Sequence, residues 1–265
     1  MATSKAEKDR QGKRIVAAVL AVGGALLLSA MVFGHKAKPD QDGCLGAPTS
    51  STVIVLDQSE QVSVQTRNEI AARVMAHVAS AAEVGERVTV FDVSQRSKTA
   101  LEPVFSRCKP ANSGNRLYED ARHIAKAYDK DFIEPLRKVL TDIHPDDVES
   151  PVAQALVDVS LSQYLRAPKN SLLVFSDMLE HVPNKFSLYA CTDPKAGIAA
   201  FRASRRGAQE RPTFQNTDIK VNLIPRGNLS PQVLACRALM WSWFFGDNQG
   251  PASAVAFDYL PGSVK

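Results

Sequence analysis

The chain has 265 residues, of which 45% are apolar and 23% charged, an ordinary globular composition that excludes a low-complexity or disordered protein. Its net charge of +4 belongs mostly to the first 14 residues, where Lys5, Lys8, Arg10, Lys13 and Arg14 outnumber Glu7 and Asp9. The other 251 residues carry 27 basic and 26 acidic groups, so no basic stripe marks the folded part and no nucleic-acid partner is expected.

Ile15–Phe33 is a run of 19 residues without a charge. As a helix it would measure about 28 Å, close to the hydrocarbon thickness of a bilayer. The expectation is a transmembrane anchor over 15–33, with the basic tail 1–14 in the cytoplasm. A cleaved signal peptide is the alternative, although its apolar core is usually only about 7–15 residues. Either reading sends the remainder across the membrane. The expected location is the cell inner membrane, single-pass, with the C-terminal domain in the periplasm. Residues 34–51, which include Pro39, Gly43, Gly46 and Pro48, read as a linker. Residues 52–265 are then one domain.

The four cysteines, Cys44, Cys108, Cys191 and Cys236, all follow the apolar run. An even number in an oxidising compartment suggests two disulfides, with three pairings open; four buried thiols are the alternative. None has CxxC spacing or a nearby His, which argues against zinc.

In chain order, Thr52–Asp57 (TVIVLD) is a buried strand with an acid at its tip. A helix follows over Val62–Ala82, with Ile70, Val74, Val78 and Ala81 on one face and Gly85 ending it. Arg87–Val93 is the second strand. Ala100–Phe105 is the third, placed at an edge by Pro103. After the polar loop CKPANSGN comes a long helix, Leu117–Leu140, bent or broken at Pro135. Ser150-Pro151 opens another helix, with Ser as N-cap and Val152, Leu156 and Val159 facing the core. Ser171–Asp177 (SLLVFSD) is a buried strand, again with an acid at its tip, and Ile219–Ile224 is another. Ser230-Pro231 opens a last helix carrying Val233, Leu234, Met240, Trp241 and Phe244. Ala254–Tyr259 is a final strand. Such alternation predicts an α/β fold, a Rossmann-like, mostly parallel sheet with helices on both faces. Ligands gather at the C-terminal tips of such sheets.

Asp57, Ser59, Gln61, Ser150 and Asp177 are the candidates for that edge. Carboxylates and hydroxyls together form a hard-oxygen set suited to Mg²⁺ or Ca²⁺. The same residues also have ordinary structural uses: an acid at a strand tip caps a following helix, and Ser59 or Ser150 can be an N-cap.

The order of elements, with DQSEQ on the first strand, ESP before a helix and LLVFSD on a later strand, resembles a von Willebrand factor A-type domain. The stretch SLLVFSDMLEH is similar to a bacterial, membrane-anchored group of A-domain-like proteins. That family carries a metal-ion-dependent adhesion site, D-x-S-x-S on the first loop, a Thr before a middle helix and an Asp after the fourth strand. Asp57 and Ser59 match its first part, Ser150 stands for the Thr and Asp177 for the last acid. Gln61 replaces the second Ser, and Met178 stands where T-D-G would have Gly. The resemblance implies a weak Mg²⁺ site of Asp57, Ser59, Ser150 and Asp177, with a vestigial, metal-free edge as the alternative. It also implies the pairing Cys44 with Cys108, and with it Cys191 with Cys236.

Enzyme motifs are not found. A haloacid-dehalogenase-type phosphatase needs D-x-D, and Ser59 stands at the third position. There is no G-x-S-x-G elbow or P-loop. The histidines are scattered, and only His181 falls near the tip. Glu180 beside it is too common a neighbour to imply acid–base work. Trp241 and Phe244 share the core face; Trp243 falls off it and is the better candidate for a contact surface. The expected protein is therefore a non-enzymatic, membrane-anchored, extracytoplasmic binding or scaffolding protein with a protein partner. A divalent-cation-dependent hydrolase and a structural subunit of an envelope or mobile-element-encoded complex are the alternatives.

Overall fold

In the computed structural model, residues 16–25, 39–57, 59, 62–93, 101–114, 120–142, 149–246 and 255–261 are described. There, the apolar runs become the strands of one sheet. In chain order the elements are β1 (Ser50–Leu56), α1 (Val64–Ser80), β2 (Arg87–Asp92), β3 (Pro103–Cys108), α2 (Ala121–Tyr128), α3 (Glu134–Thr141), α4 (Val152–Leu161) and β4 (Lys169–Ser176). A short hairpin, β5 (His181–Val182) and β6 (Phe186–Ser187), follows, then α5 (Pro194–Ser204), β7 (Thr217–Leu223), α6 (Pro231–Phe245) and β8 (Val255–Tyr259). The six-stranded sheet runs β3-β2-β1-β4-β7-β8. Every pairing in it is parallel except β2 with β3, so the fold is mixed α/β with a mostly parallel sheet.

Successive side chains of a strand point to opposite faces, and the two cores follow that period. Ile54 and Leu56 pack with Ile70, Val74 and Val78 of α1 and Leu136 and Leu140 of α3. Val53 and Val55 pack with Val152, Leu156 and Val159 of α4 and Met240, Trp241 and Phe244 of α6. Burial on both faces is why these strands read as continuous apolar runs.

Several elements differ from the sequence reading. The third strand begins at Pro103 and continues to Cys108, because its ladder pairs Cys108 with Arg87 at the far end of β2. It is an edge strand, as Pro103 implies, and its register shifts where Pro103 meets Phe91. Just past the end of α1, Ala82 is buried and Ala81 is exposed. On α6, Leu234 is exposed and Phe245 is buried instead. The long helix expected over Leu117–Leu140 is divided by a π-helical turn, Asp129–Ile133. Pro135 has no N–H for the carbonyl of Asp131 four residues earlier. Arg107 of β3 donates to that oxygen at 2.6 Å instead.

The disulfides are Cys44–Cys108 and Cys191–Cys236, with Cα separations of 5.0 and 6.3 Å. Such bonds indicate an oxidising, extracytoplasmic environment. Cys108 also donates its N–H to the Asp42 carbonyl at 2.8 Å, so residues 40–44 are fastened to the base of β2 and β3. A second fastening at the base is Glu86, which accepts from the hydroxyls of Ser50 and Thr52 and from the Glu83 N–H. Lys109 donates to the carbonyls of Val78 and Ala82, ending α1.

The chain divides into two units, Met1–Pro39 and Asp40–Lys265. In the first, residues 16–25 are helical. Of the anchor expected over Ile15–Phe33, residues 15 and 26–33 lie outside the described residues, and among those described no helix is long and apolar enough to cross a membrane.

Gly197 of α5 lies against the Cys191–Cys236 bond: a Cβ there would meet the Cys191 sulfur at 2.5 Å. A sulfur held in a disulfide cannot swing away. Gly197→Ala should therefore destabilise the domain by about 1–3 kcal/mol in denaturant unfolding, despite alanine's better helix propensity. Unchanged or raised stability would contradict that packing.

Candidate site at the strand tips

β1 and β4 are parallel neighbours in register, with Leu56 beside Phe175, so Asp57 and Ser176 leave the sheet at the same level. The Asp57 N–H holds the Phe175 carbonyl at 2.9 Å, fixing the turn. The Asp57 carboxylate then collects four donors. Oδ1 accepts from the N–H and hydroxyl of Ser59 at 3.2 and 2.7 Å. Oδ2 accepts from the hydroxyls of Ser150 at 2.9 Å and Ser176 at 2.7 Å. An ionised carboxylate offers about four acceptor sites, and all are filled.

Ser150 does not cap the helix it precedes. The N-cap of α4 is Pro151, which has no capping hydrogen bond from its side chain. Ser150 forms an isolated bridge with His181, leaving its hydroxyl free to turn to Asp57. The start of α4 is capped from outside by Glu180, whose Oε2 accepts the Ala153 N–H at 2.7 Å. Ser59 is not an N-cap either; Ser63 caps α1 through the Thr66 N–H. By contrast, Ser230 caps α6, with Pro231 at its start, as the Ser-Pro pair predicts.

Asp177 stands beside Asp57 and is 2% exposed. Its Oδ1 accepts the Leu179 N–H at 2.9 Å, and its Oδ2 accepts Arg226 Nε at 2.6 Å. Burial, and then repulsion from Asp57, push its pKa up to about 6, against the pull of Arg226. The next residue, Met178, is fully buried with φ of 58°, in the left-handed region that favours glycine. That is the conformation for which a T-D-G sequence would supply Gly. Here it is held by hydrogen bonds from Met178 N–H to Ser176 Oγ and from Trp241 Nε1 to the Met178 carbonyl, at 2.8 and 2.6 Å. Arg237 of α6 also donates to the Asp177 carbonyl at 3.0 Å.

Asp57, Ser59 and Ser150 thus meet directly, with Asp177 adjacent; Gln61 lies outside the described residues. Ser176, Glu180, Arg226 and Arg237 were not singled out by sequence. Ser176 was legible as the polar residue ending an apolar strand next to Asp177. Arg226, just past β7, has no motif to mark it. In this arrangement the four expected ligand residues do not fit a divalent cation. Asp57 has no acceptor left, and a guanidinium already sits on Asp177. Among the described residues, no group of three or more His, Cys, Asp or Glu is placed to hold a metal.

His181 hydrogen-bonds Ser187 through Nδ1 at 2.9 Å, within the hairpin. Trp243 is half-buried: its ring packs on Phe201 and is covered by Arg211, 4.9 Å from the centroid. Its place off the core stripe is therefore taken up by contacts within the domain. Beside the tip lies a cleft of about 450 Å³ lined by Glu180, Arg205, Asp158, Lys185, Phe186 and Phe201 among others.

No family model matches the chain, and no curated protein matches it. Among solved structures, the human COPII-coat protein Sec24c is similar over 81% of this chain, with 12% identity and a TM-score of 0.34. A mutant of the PilB minor pilin from Streptococcus sanguinis is similar over 85%, with 11% identity and a TM-score of 0.35. The matches span 30% and 58% of those two chains. Likeness at this level assigns no family.

Glu180 is 3% exposed, and burial pushes its pKa up to about 8. A folded pKa above the usual 4.5 means the fold favours the neutral acid. The stability this gives is full below that usual value and is lost as pH rises through about 8. Glu180→Gln keeps an oxygen for Ala153 and removes the titration. Its denaturant unfolding should lose up to about 1.4 kcal/mol less per pH unit than wild type between pH 5 and 7.5. Identical pH dependence in the two proteins would show that Glu180 does not titrate in this window.

Proposed function

We propose that this chain is a non-enzymatic, membrane-anchored extracytoplasmic scaffold whose A-type domain holds a protein partner at the strand-tip edge. The observation that carries this reading is the convergence of Asp57, Ser59, Ser150 and Asp177 at the C-terminal end of a parallel sheet. Those are the positions at which the chain resembles the adhesion motif. Both carboxylates are satisfied by partners inside the chain, which suits a preformed recognition surface. It suits hydrolysis poorly, since Asp57 has no acceptor to offer a water or a leaving group. The uncharged run Ile15–Phe33, behind five basic residues, supports the anchor. Two disulfides support the compartment.

A reporter fused after Lys265 should be active outside the cytoplasm, and the mature protein should retain Met1. Cytoplasmic reporter activity would sink the compartment; a mature N-terminus near residue 35 would remove only the anchor. For the partner, a photo-crosslinking amino acid replacing Lys185, exposed in the tip hairpin, should give a discrete adduct in native membranes. The same group replacing Lys169, exposed at the base, should not. Asp57→Asn should abolish the tip adduct. Equal crosslinking from both ends, or insensitivity to Asp57, would overturn a tip-edge binding site.

A further inference from the structure

We propose that the Arg226 guanidinium is the resident cation of the tip, so that the Asp57–Asp177 pair is held together without a divalent metal. Two carboxylates close together in a dry site repel one another, and a positive charge beside them relieves part of that repulsion. Arg226 is placed for that: Nε lies 2.6 Å from Asp177 Oδ2, with the two side chains 8% and 3% exposed. A cation at hydrogen-bond distance from a buried carboxylate occupies the electrostatic position that Mg²⁺ or Ca²⁺ would take. A second, divalent charge there would face the guanidinium at close range.

The hydroxyls point the same way. Ser59, Ser150 and Ser176 each donate a proton to Asp57, so the oxygens of that carboxylate are already occupied. Mg²⁺ demands near-octahedral oxygen geometry at about 2.0–2.1 Å and gives up its waters reluctantly. To bind Asp57 it would have to displace donors that already fill that carboxylate, and at Asp177 it would face a buried arginine. The arginine has its own support, because the segment after β4 is fastened from the other side by Arg237 and Trp241. The inference concerns which charge fills the tip and stands independently of the partner reading.

The test uses the full chain in detergent micelles. Titration of the wild type with Mn²⁺, followed by electron paramagnetic resonance of the free ion, should show no site tighter than about 10 mM, and Tm should agree within about 1 °C in EDTA and in millimolar MgCl₂. Arg226→Gln removes the charge and keeps a hydrogen-bonding side chain. It should lower Tm on the order of 10 °C in EDTA, and MgCl₂ or MnCl₂ should recover part of that loss. Arg226→Lys should stay insensitive to either ion. A wild-type Mn²⁺ site tighter than about 1 mM that Asp57→Ala abolishes would overturn the proposal, whether or not the Arg226 variants fold. So would an Arg226→Gln protein as stable as wild type and equally indifferent to metal.

Discussion

Four donors converge on the buried carboxylate of Asp57, and they come from three parts of the chain. Ser59 lies on the first loop, Ser150 ahead of α4, and Ser176 ends β4. An isolated carboxylate taken out of water costs many kcal/mol, so the site exists only while those donors stay in place. This requirement explains local features that otherwise look irregular. Ser150 abandons the helix cap for Asp57, and Glu180 supplies the cap in its stead. Because Glu180 must then be buried, its pKa rises. The carboxylate and the helix start are thus coupled through one short antiparallel bridge between Ser150 and His181.

Asp177 brings the second charge, and Arg226 answers it. A buried ion pair of this kind contributes little net stability against an apolar alternative, yet removing one partner is expensive. It joins the loop after β4 to the segment that follows β7. α6 holds that loop from behind, with Arg237 on the Asp177 carbonyl and Trp241 on the Met178 carbonyl. Cys236 on the same helix ties it to Cys191 after the hairpin. Met178 can therefore occupy a left-handed backbone, at a cost on the order of 1 kcal/mol, without a glycine. Polar contacts and an aromatic-rich helix hold the loop after β4 from opposite sides.

The elements themselves were largely written in the residues. Continuous apolar runs such as Val53–Leu56 and Leu172–Phe175 announced two-sided burial, and Pro103 announced an edge. Helix ends were less legible. Ser230-Pro231 behaved as a cap and Ser150-Pro151 did not, although the two pairs look alike. The difference lies in what stands nearby in space: Ser150 faces a carboxylate that needs a donor. The same holds for Pro135, whose missing hydrogen bond became a π-helical turn because Arg107 was there to meet the orphaned carbonyl.

By itself the sequence determined the α/β alternation and the parallel strands with acids at their tips; which cysteine met which was decided by the fold. Periodicity, turn residues and strand-end carboxylates act over a few positions, so they can be read locally. The tertiary structure alone decided that Arg226, 49 residues beyond Asp177, would be its counter-ion, and that Glu180 would cap α4. Which charge meets which is set by how helices and strands stack. Many arginines and glutamates share the same local signature, and only packing selects among them.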